Sequence, residues 1–272
     1  MRELSPLLVT SPTVRSGTTL LQRLLCSAGN ALVYGEEIGK DLELQLQIHT
    51  SRRMVYAQSR QRFTSDLDRV MQGAGDGWIV DLMPDIDGYL QALHAGAFAG
   101  LGHCRDHALG AGRPVWGFKY PGWPPHLMRQ LFDVLPGTRV VCLVRQLADT
   151  ARSAKAWGAI DDEAQMQAFC AQWLRNLAFM HHWRQDHAVL MLSYETLVAD
   201  PDLALAQLQA FLPLQAMDRG VLDRRINSPR EALDTRHGQR DYVAPAALNA
   251  SEQRWVDEAM AAARTAGLGG LA

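Results

Sequence analysis

The sequence lacks the features of membrane-spanning, secreted and nucleic-acid-binding proteins. No apolar stretch approaches the ~20 residues that cross a bilayer, and the first residues contain no long apolar segment of the signal-peptide kind. The 27 Lys and Arg residues nearly balance the 29 Asp and Glu residues, so the net charge is -2 and nothing attracts the chain generally to nucleic acid or anionic lipid. We therefore expect a cytoplasmic protein with no nucleic-acid partner and no membrane partner. The oligomeric state is left open.

Cysteine is scarce and shows no spacing typical of a metal site or a disulfide framework. The cysteines lie far apart, form no C-x-x-C pair and fall mostly in apolar patterns: Cys26, Cys104, Cys142 and Cys170. This usage is typical of reduced, buried thiols in a cytosolic protein. The adjacent pair His181 and His182 lies in a helical pattern with no third ligand at a suitable spacing, so we predict a structural role for it and no metal site.

Linker-like sequence is also missing. No Pro/Gly/Ser-rich or low-complexity stretch divides the 272 residues, and a hydrophobic content of 47% is enough for a large core. We therefore predict one domain over residues 1–272. Residues 213–248 differ from the rest, since they are rich in Arg, Asp and Pro and show little periodicity. They are either a solvated loop or a flexible segment that closes over a ligand through Arg230, Arg236 and Arg240.

Residues 7–25 combine an apolar run, a small polar loop and a helical pattern. The apolar residues after Gly17 fall on one helix face: Leu20, Leu21, Leu24 and Leu25. The stretch therefore predicts a strand, a loop and a helix whose first-turn N–H groups bind phosphate or sulfate. An ordinary strand-to-helix turn with a solvated Arg15 fits the same residues.

This loop lacks the lysine of a Walker A motif. When Gly17 is aligned with the second glycine of G-x-x-x-x-G-K-[ST], Pro12 stands in place of the first glycine and Thr18 in place of the lysine. Without that lysine, nothing obvious bridges the β and γ phosphates of a nucleoside triphosphate, which argues against a kinase or NTPase. The cation of this loop is Arg15 instead.

Apolar runs alternate with helical patterns along most of the chain. This alternation predicts right-handed βαβ units, and therefore an α/β, P-loop-like three-layer fold with a central parallel sheet flanked by helices. Ligands of such folds bind at the carboxyl ends of the strands. Besides the first strand and helix, the candidate strands are 78–82, 114–119, 139–145 and 188–194, and the candidate helices are 41–72, 88–107, 162–185 and 201–211.

Three stretches together resemble the sulfotransferases that use 3′-phosphoadenosine 5′-phosphosulfate (PAPS). Arg15-Ser-Gly-Thr-Thr-Leu20 is similar to their 5′-phosphosulfate loop. Leu143-Val-Arg145, followed by Ser153, is similar to their 3′-phosphate motif. Ser193-Tyr-Glu-Thr-Leu-Val-Ala-Asp-Pro201, with Phe211-Leu212 after it, is similar to their third landmark, a tyrosine-containing strand end before a helix. The resemblance implies PAPS as the sulfuryl donor.

The resemblance also implies roles for individual residues. The 5′-phosphosulfate would lie against Arg15, Ser16, Gly17, Thr18 and Thr19, and Arg15 would stabilise charge on the leaving oxygen. The 3′-phosphate would be held by Arg145 and Ser153, with Tyr194 also at the cofactor. No metal is expected, because a sulfuryl group carries less charge than a phosphoryl group and backbone donors with one or two cations can replace Mg²⁺.

A further stretch resembles the tyrosylprotein sulfotransferases. Gly35-Glu36-Glu37 is similar to a segment in which the first Glu acts as the base on the acceptor hydroxyl, which implies Glu36 as the base and Glu37 as a surface or supporting residue. Lys119 resembles a strand-end lysine that the family uses near the transferred sulfonate. A catalytic histidine, found in cytosolic members, has no clear candidate, because Tyr120 follows Lys119.

The sequence therefore predicts a PAPS-dependent sulfotransferase that acts on a hydroxyl-bearing acceptor. The resemblance favours a phenol, either a peptide tyrosine or an aromatic small molecule, and a sugar or an alkyl alcohol is the alternative. A P-loop kinase and a non-catalytic nucleotide-binding protein are the rival classes. We expect the acceptor pocket to be formed by residues 35–60, residues 83–90 and the loop after Lys119. Its candidate aromatic residues are Tyr120, Trp123 and Trp157.

Overall fold

A central sheet of five parallel strands organises the protein, and a computed structural model describes residues 4–75, 77–79, 81–224 and 244–271. The strands are β1 (Leu7–Thr10), β2 (Ala31–Tyr34), β3 (Val115–Lys119), β4 (Arg139–Val144) and β5 (Val189–Ser193), in the order β2-β3-β1-β4-β5. The helices are α1 (Thr18–Ser27), α2 (Glu36–Met71), α3 (Ile86–Ala97), α4 (Ala99–Gly110), α5 (Pro125–Val134), α6 (Leu147–Ala156), α7 (Glu163–Trp183), α8 (Tyr194–Ala199), α9 (Pro201–Phe211) and α10 (Ala250–Thr265). Within the described residues, none of these helices is long and apolar enough to cross a membrane.

Alternate residues of the central strands pack on opposite faces of the sheet. Leu8 of β1 and Cys142 of β4 belong to one core cluster, which also contains buried residues of α2, α5, α6, α7 and α10. Leu7 and Val141 belong to a second cluster, which is closed by α1 and α9. Because both faces are covered, the strands are apolar except at their ends, as parallel strands usually are. The predicted α/β three-layer fold is confirmed.

Two of the predicted elements differ from the structure. The described residues of 78–82 form no strand but connect α2 to α3, with Trp78 94% exposed. A short apolar run becomes a strand only where a sheet edge is available to pair with it, and pattern alone does not reveal this. The predicted helix 88–107 is divided at Phe98 into α3 and α4, in a stretch weakened by nearby glycines such as Gly96 and Gly100.

Side-chain caps mark the starts of α9 and α10. The Asp200 side chain accepts a hydrogen bond from the Leu203 N–H at 3.2 Å, with Pro201 in the first turn of α9. Asn249 and Glu252 form a capping box at the start of α10, with hydrogen bonds of 2.9 and 2.7 Å. The cap at Asp200 therefore agrees with the predicted start of the helix 201–211.

The segment 213–248 is described only in part. Residues 219–221 form a 3₁₀ turn, and residues 244–249 lead into α10. The three arginines considered for closure over a ligand, Arg230, Arg236 and Arg240, lie outside the described residues. Their role stays a prediction.

The cysteines and the paired histidines of α7 have the environments expected of structural residues. All four cysteines are free thiols; Cys26 is half-buried and the others are buried. Burial raises the pKa of Cys142 to about 12 and that of Cys170 to about 11, which keeps both thiols protonated. His181 lies 2.9 Å from the Arg184 guanidinium. Among the described residues, no group of three or more His, Cys, Asp or Glu side chains is arranged to hold a metal ion.

A second pair of histidines, His49 of α2 and His94 of α3, predicts how stability depends on pH. Their ring nitrogens lie 3.1 Å apart. Burial lowers the pKa of both rings below the usual value of about 6.5, and the positive charge of Arg53 lowers each further. Protons then bind the unfolded chain more readily than the folded one, so this contribution to stability is complete above about pH 6.5 and is lost as the pH falls through the lowered values.

We expect the melting temperature to fall more steeply between pH 7.5 and pH 5.5 in the wild type than in a His94→Gln variant. His103→Gln is the matched control, because His103 is an exposed histidine of α4. Thermal unfolding followed by circular dichroism measures both slopes. An unchanged slope in His94→Gln would show that this pair does not control the acid response.

Candidate active site

The loop between β1 and α1 is held in a fixed conformation by its own hydrogen bonds. The hydroxyls of Ser11 and Ser16 donate hydrogen bonds to the Thr13 carbonyl oxygen, at 2.6 and 3.0 Å. Arg15 and Gly17 both have left-handed backbones, with φ of 68° and 90°. A side chain at Gly17 would also approach the Tyr194 ring to 2.6 Å, so only glycine fits there. No described side chain caps α1, and its first N–H groups are left for a ligand.

This turn opens into a cavity of about 570 Å³ at the carboxyl ends of the strands. Most of the predicted site residues line it: Arg15, Gly17, Thr18, Thr19, Glu36, Arg145, Ser153 and Tyr194. Ser16 is fully buried and supports the loop from behind. Lys119 is buried and donates hydrogen bonds to two of the lining residues, Glu36 and Thr19. Residues from five separate parts of the sequence thus meet at one place.

Lys119 joins the loop to the predicted base. It is the last residue of β3, and its ammonium donates hydrogen bonds to Glu36 Oε1 at 2.5 Å and to Thr19 Oγ1 at 3.1 Å. The Lys119 side chain is 8% exposed, whereas that of Glu36 is 41% exposed. Glu36 begins α2, where a negative charge is favoured by the helix dipole. The carboxylate therefore faces the cavity while the ammonium holds it from behind.

Arg15 extends toward α6. Its Nε donates to Ser153 Oγ at 3.4 Å, and its guanidinium carbon lies 3.9 Å from the centroid of the Trp157 ring. Burial lowers the pKa of Arg15, and the positive charge of Arg145 lowers it further. An arginine in this setting, close to a second cation, is stabilised by a bound anion. Trp157, which we expected in the acceptor pocket, instead supports Arg15.

The surroundings of Arg145 favour an anionic ligand. Its guanidinium lies over the Tyr194 ring at 4.6 Å, and its Nη1 donates to the Arg15 carbonyl oxygen at 3.3 Å. Its Nε is buried and has no hydrogen-bond partner among the described residues. A buried cationic donor without a partner is costly, and an anion would remove that cost. The donor set of this end of the cavity therefore fits a phosphate group.

Only some of the residues that we expected to form the acceptor pocket line this cavity. Glu36 and Pro121 line the cavity, but Trp123 is 1% exposed and lies in the core below the sheet edge, so its prediction as a pocket residue was wrong. The Tyr120 hydroxyl donates to Glu43 Oε2 at 3.0 Å. An aromatic residue after a strand end serves core and pocket equally well, and sequence does not distinguish them.

Several lining residues were not predicted at all. Val14 and Leu20 flank the loop, Val198 belongs to α8, and Leu222, Asp223 and Arg224 follow the 3₁₀ turn at 219–221. Val198 lies one helical turn after Tyr194, so a prediction of α8 would have placed it beside the site. The residues 222–224 belong to a stretch without periodicity, and no sequence signal indicates them.

Sequence comparison identifies the class of this protein. The model of the sulfotransferase family matches residues 6–218, which include the loop, the end of β4 and the start of α8. The chain belongs to the sulfotransferase family. It is thus an enzyme of sulfuryl transfer. A search of curated proteins found no match.

Solved sulfotransferase structures also match the chain, at low sequence identity. The sulfotransferase domain of the olefin synthase of Synechococcus PCC 7002 is 16% identical, with a TM-score of 0.49 over 95% of this chain and 96% of that one. The sulfotransferase domain of the curacin biosynthetic pathway is 15% identical, with a TM-score of 0.48 over 95% and 98%. A sulfotransferase from Alicyclobacillus acidocaldarius is 12% identical, with a TM-score of 0.48 over 98% and 96%.

Proposed function

We propose that this enzyme transfers a sulfuryl group from PAPS to a phenolic hydroxyl, of a peptide tyrosine or of an aromatic small molecule. One observation supports this most strongly: a single cavity brings together a helix N-terminus, two arginines and a carboxylate paired with a lysine. The helix end and the arginines suit an anionic nucleotide, and the carboxylate suits a hydroxyl. The proposal includes one sulfotransferase domain over residues 1–272 and a cytoplasmic location, which the free thiols favour.

The two ends of the cavity are assigned to the two ends of the donor. Bound PAPS supplies an activated sulfuryl group on a phosphate leaving group. Residues 15–19 offer the first-turn N–H groups of α1 to the 5′ end. Arg145 and Ser153 offer a guanidinium and a hydroxyl to the 3′-phosphate, with the Tyr194 ring beneath Arg145. Arg15, whose Nε contacts Ser153, stabilises the negative charge that develops on the leaving oxygen.

Glu36 is assigned the role of base for the acceptor hydroxyl, and Lys119 the role of stabilising the negative charge that develops near the sulfuryl group. Glu36 accepts the proton of the acceptor hydroxyl while the acceptor oxygen forms its bond to sulfur. The bond from sulfur to the bridging oxygen breaks, and that oxygen leaves with its electron pair as part of adenosine 3′,5′-bisphosphate. Lys119, released from Glu36 when the carboxylate becomes neutral, can donate toward the negative charge near the sulfuryl group. No metal ion takes part in this scheme.

The donor assignment is tested by isothermal titration calorimetry. We expect adenosine 3′,5′-bisphosphate to bind at least about tenfold more tightly than ATP with Mg²⁺. The loop has Thr18 where nucleotide kinases have the lysine that contacts a triphosphate. The buried Nε of Arg145, in contrast, can bind the 3′-phosphate, which ATP lacks. Equal or tighter binding of ATP with Mg²⁺ would favour the kinase alternative.

The acceptor is tested with labelled PAPS against phenols, tyrosine peptides, saccharides and alkyl alcohols. Label incorporated into phenols at the highest kcat/KM supports the proposed acceptor. Preference for a sugar or an alkyl alcohol would replace the acceptor class and keep the donor. Binding of the bisphosphate without transfer to any of these would favour a non-catalytic nucleotide-binding protein.

A further inference from the structure

Three residues on one face of α2 contact the end of β3. Glu36, Gly39 and Glu43 are spaced at i, i+3 and i+7, so they lie along one side of the helix. Glu36 receives a hydrogen bond from Lys119, and Glu43 receives one from the hydroxyl of Tyr120 at 3.0 Å. The first two turns of α2 are therefore attached to two consecutive residues of the strand end.

Gly39 lets the ring of Tyr120 lie directly on the helix. A Cβ atom at Gly39 would lie 2.5 Å from one ring carbon of Tyr120 and 2.8 Å from the Tyr120 Cβ. Any side chain at this position would push the helix and the ring apart. The close approach brings the Tyr120 hydroxyl within reach of Glu43, one helical turn further along.

Tyr120 is itself fixed to the sheet. Its N–H donates to the Val9 carbonyl oxygen at 2.9 Å, and its carbonyl oxygen accepts from the Thr10 hydroxyl at 2.8 Å. Its ring packs against the buried Trp123, with the ring centroids 5.6 Å apart. Burial, followed by the hydrogen bond to Glu43, raises the pKa of Tyr120 to about 12, so its hydroxyl remains a donor at physiological pH. Tyr120 thus forms a rigid point against which α2 rests.

We propose that Tyr120 is a positioning residue that acts through Glu36: its contacts with Gly39 and Glu43 keep the start of α2 in place when the Lys119–Glu36 ion pair opens. The inference rests on the proposed function. In the resting site, Lys119 and Glu36 bind each other. Proton transfer neutralises Glu36 and releases Lys119 toward the donor, so the contact between them weakens during the step that depends most on alignment. The bond between Tyr120 and Glu43 takes no part in that exchange.

Three variants separate this role from general stability. Tyr120→Phe and Glu43→Ala remove the hydrogen bond, while Glu43→Gln keeps an oxygen that accepts it. Thr138→Val is the matched control, because it removes a buried hydrogen bond of 2.7 Å to the Leu135 carbonyl oxygen at the amino end of β4, away from the cavity.

We expect Tyr120→Phe and Glu43→Ala to lower kcat by about tenfold, the rate equivalent of one hydrogen bond to a charged acceptor, with KM for PAPS and affinity for adenosine 3′,5′-bisphosphate unchanged. Glu43→Gln and Thr138→Val should stay within about twofold of the wild-type kcat. Backbone amides of residues 36–43 should exchange hydrogen faster in Tyr120→Phe and Glu43→Ala, but not in the other two variants.

The inference is overturned if Glu43→Gln loses as much kcat as Glu43→Ala, or if Tyr120→Phe keeps the wild-type kcat. A wild type that neither binds the bisphosphate nor transfers the sulfuryl group is a failure of the proposed function instead. In that case hydrogen exchange still tests whether Tyr120 stabilises the start of α2. Unchanged exchange of residues 36–43 in Tyr120→Phe would show that it does not.

Discussion

Replacing Glu36 by Gln is expected to lower kcat for sulfuryl transfer by about 10²- to 10⁴-fold, the range that a positioned general base contributes. Glutamine has the same size, and its amide oxygen can still accept the hydrogen bond from Lys119, but it cannot take a proton at neutral pH. The affinity for adenosine 3′,5′-bisphosphate should not fall, because the variant removes a negative charge from the cavity that we assign to this anion. Steady-state kinetics and calorimetry measure the two effects separately.

The neighbouring Glu37 offers a matched control for this prediction. Its side chain is 83% exposed and forms an ion pair of 2.5 Å with Lys40 on the surface of α2. Glu37→Gln makes the same chemical change one residue away and should leave kcat unchanged. If Glu36→Gln retains full turnover, Glu36 is not the base. If Glu37→Gln loses as much activity as Glu36→Gln, the loss reflects the charge of the helix start rather than proton transfer.

The part of the site that the sequence predicted best is the part built from neighbouring residues. The loop 11–17 and the first turn of α1 follow β1 directly, so a strand, a turn and a helical pattern are enough to predict where the first-turn N–H groups of α1 lie. Buried strands such as β4 are predicted by a continuous run of apolar residues. Caps such as Asp200 and Asn249 act within four residues, and the structure has both.

Contacts between distant segments depend on the order of strands, which no local pattern encodes. Glu36 and Lys119 meet because β2 and β3 are parallel neighbours, with Tyr34 paired to Phe118, and both residues follow the paired ends. The family resemblance indicated both residues but not their contact. The start of α2 at Glu36 was also missed, since Gly39 in its second turn weakens the helical pattern. That glycine is present because Tyr120 lies against it.

The environments of single tryptophan residues were also difficult to predict from sequence. Trp78 was assigned to a strand and is 94% exposed, whereas Trp123 was assigned to a pocket and is 1% exposed. Trp157 supports an arginine of the site. The three side chains have the same chemistry, and their environments are set by elements that pack against them from elsewhere in the chain. Burial of a given aromatic residue is therefore known only once the tertiary packing is known.

Replacing Arg145 by Ala is expected to weaken binding of adenosine 3′,5′-bisphosphate by about 100-fold, while leaving the weaker binding of adenosine 5′-phosphate nearly unchanged. The two nucleotides differ only in the 3′-phosphate, which is the group assigned to Arg145. The buried Nε of Arg145 has no described protein partner, so a 3′-phosphate gains a charged hydrogen bond that nothing else in the site replaces. Arg145→Lys should fall between the two, because lysine keeps the charge but not the planar pair of donors.

The control for Arg145 lies at the opposite end of β4, which Arg145 directly follows. Arg139 begins β4 at its amino end, where it is exposed and distant from the cavity at the carboxyl end. Arg139→Ala should leave both affinities unchanged, since it removes the same charge without touching the site. If Arg145→Ala weakens the binding of both nucleotides equally, the role of Arg145 is instead to support the loop through its hydrogen bond to the Arg15 carbonyl oxygen. Selective loss of the bisphosphate alone makes Arg145 the residue that recognises the 3′-phosphate.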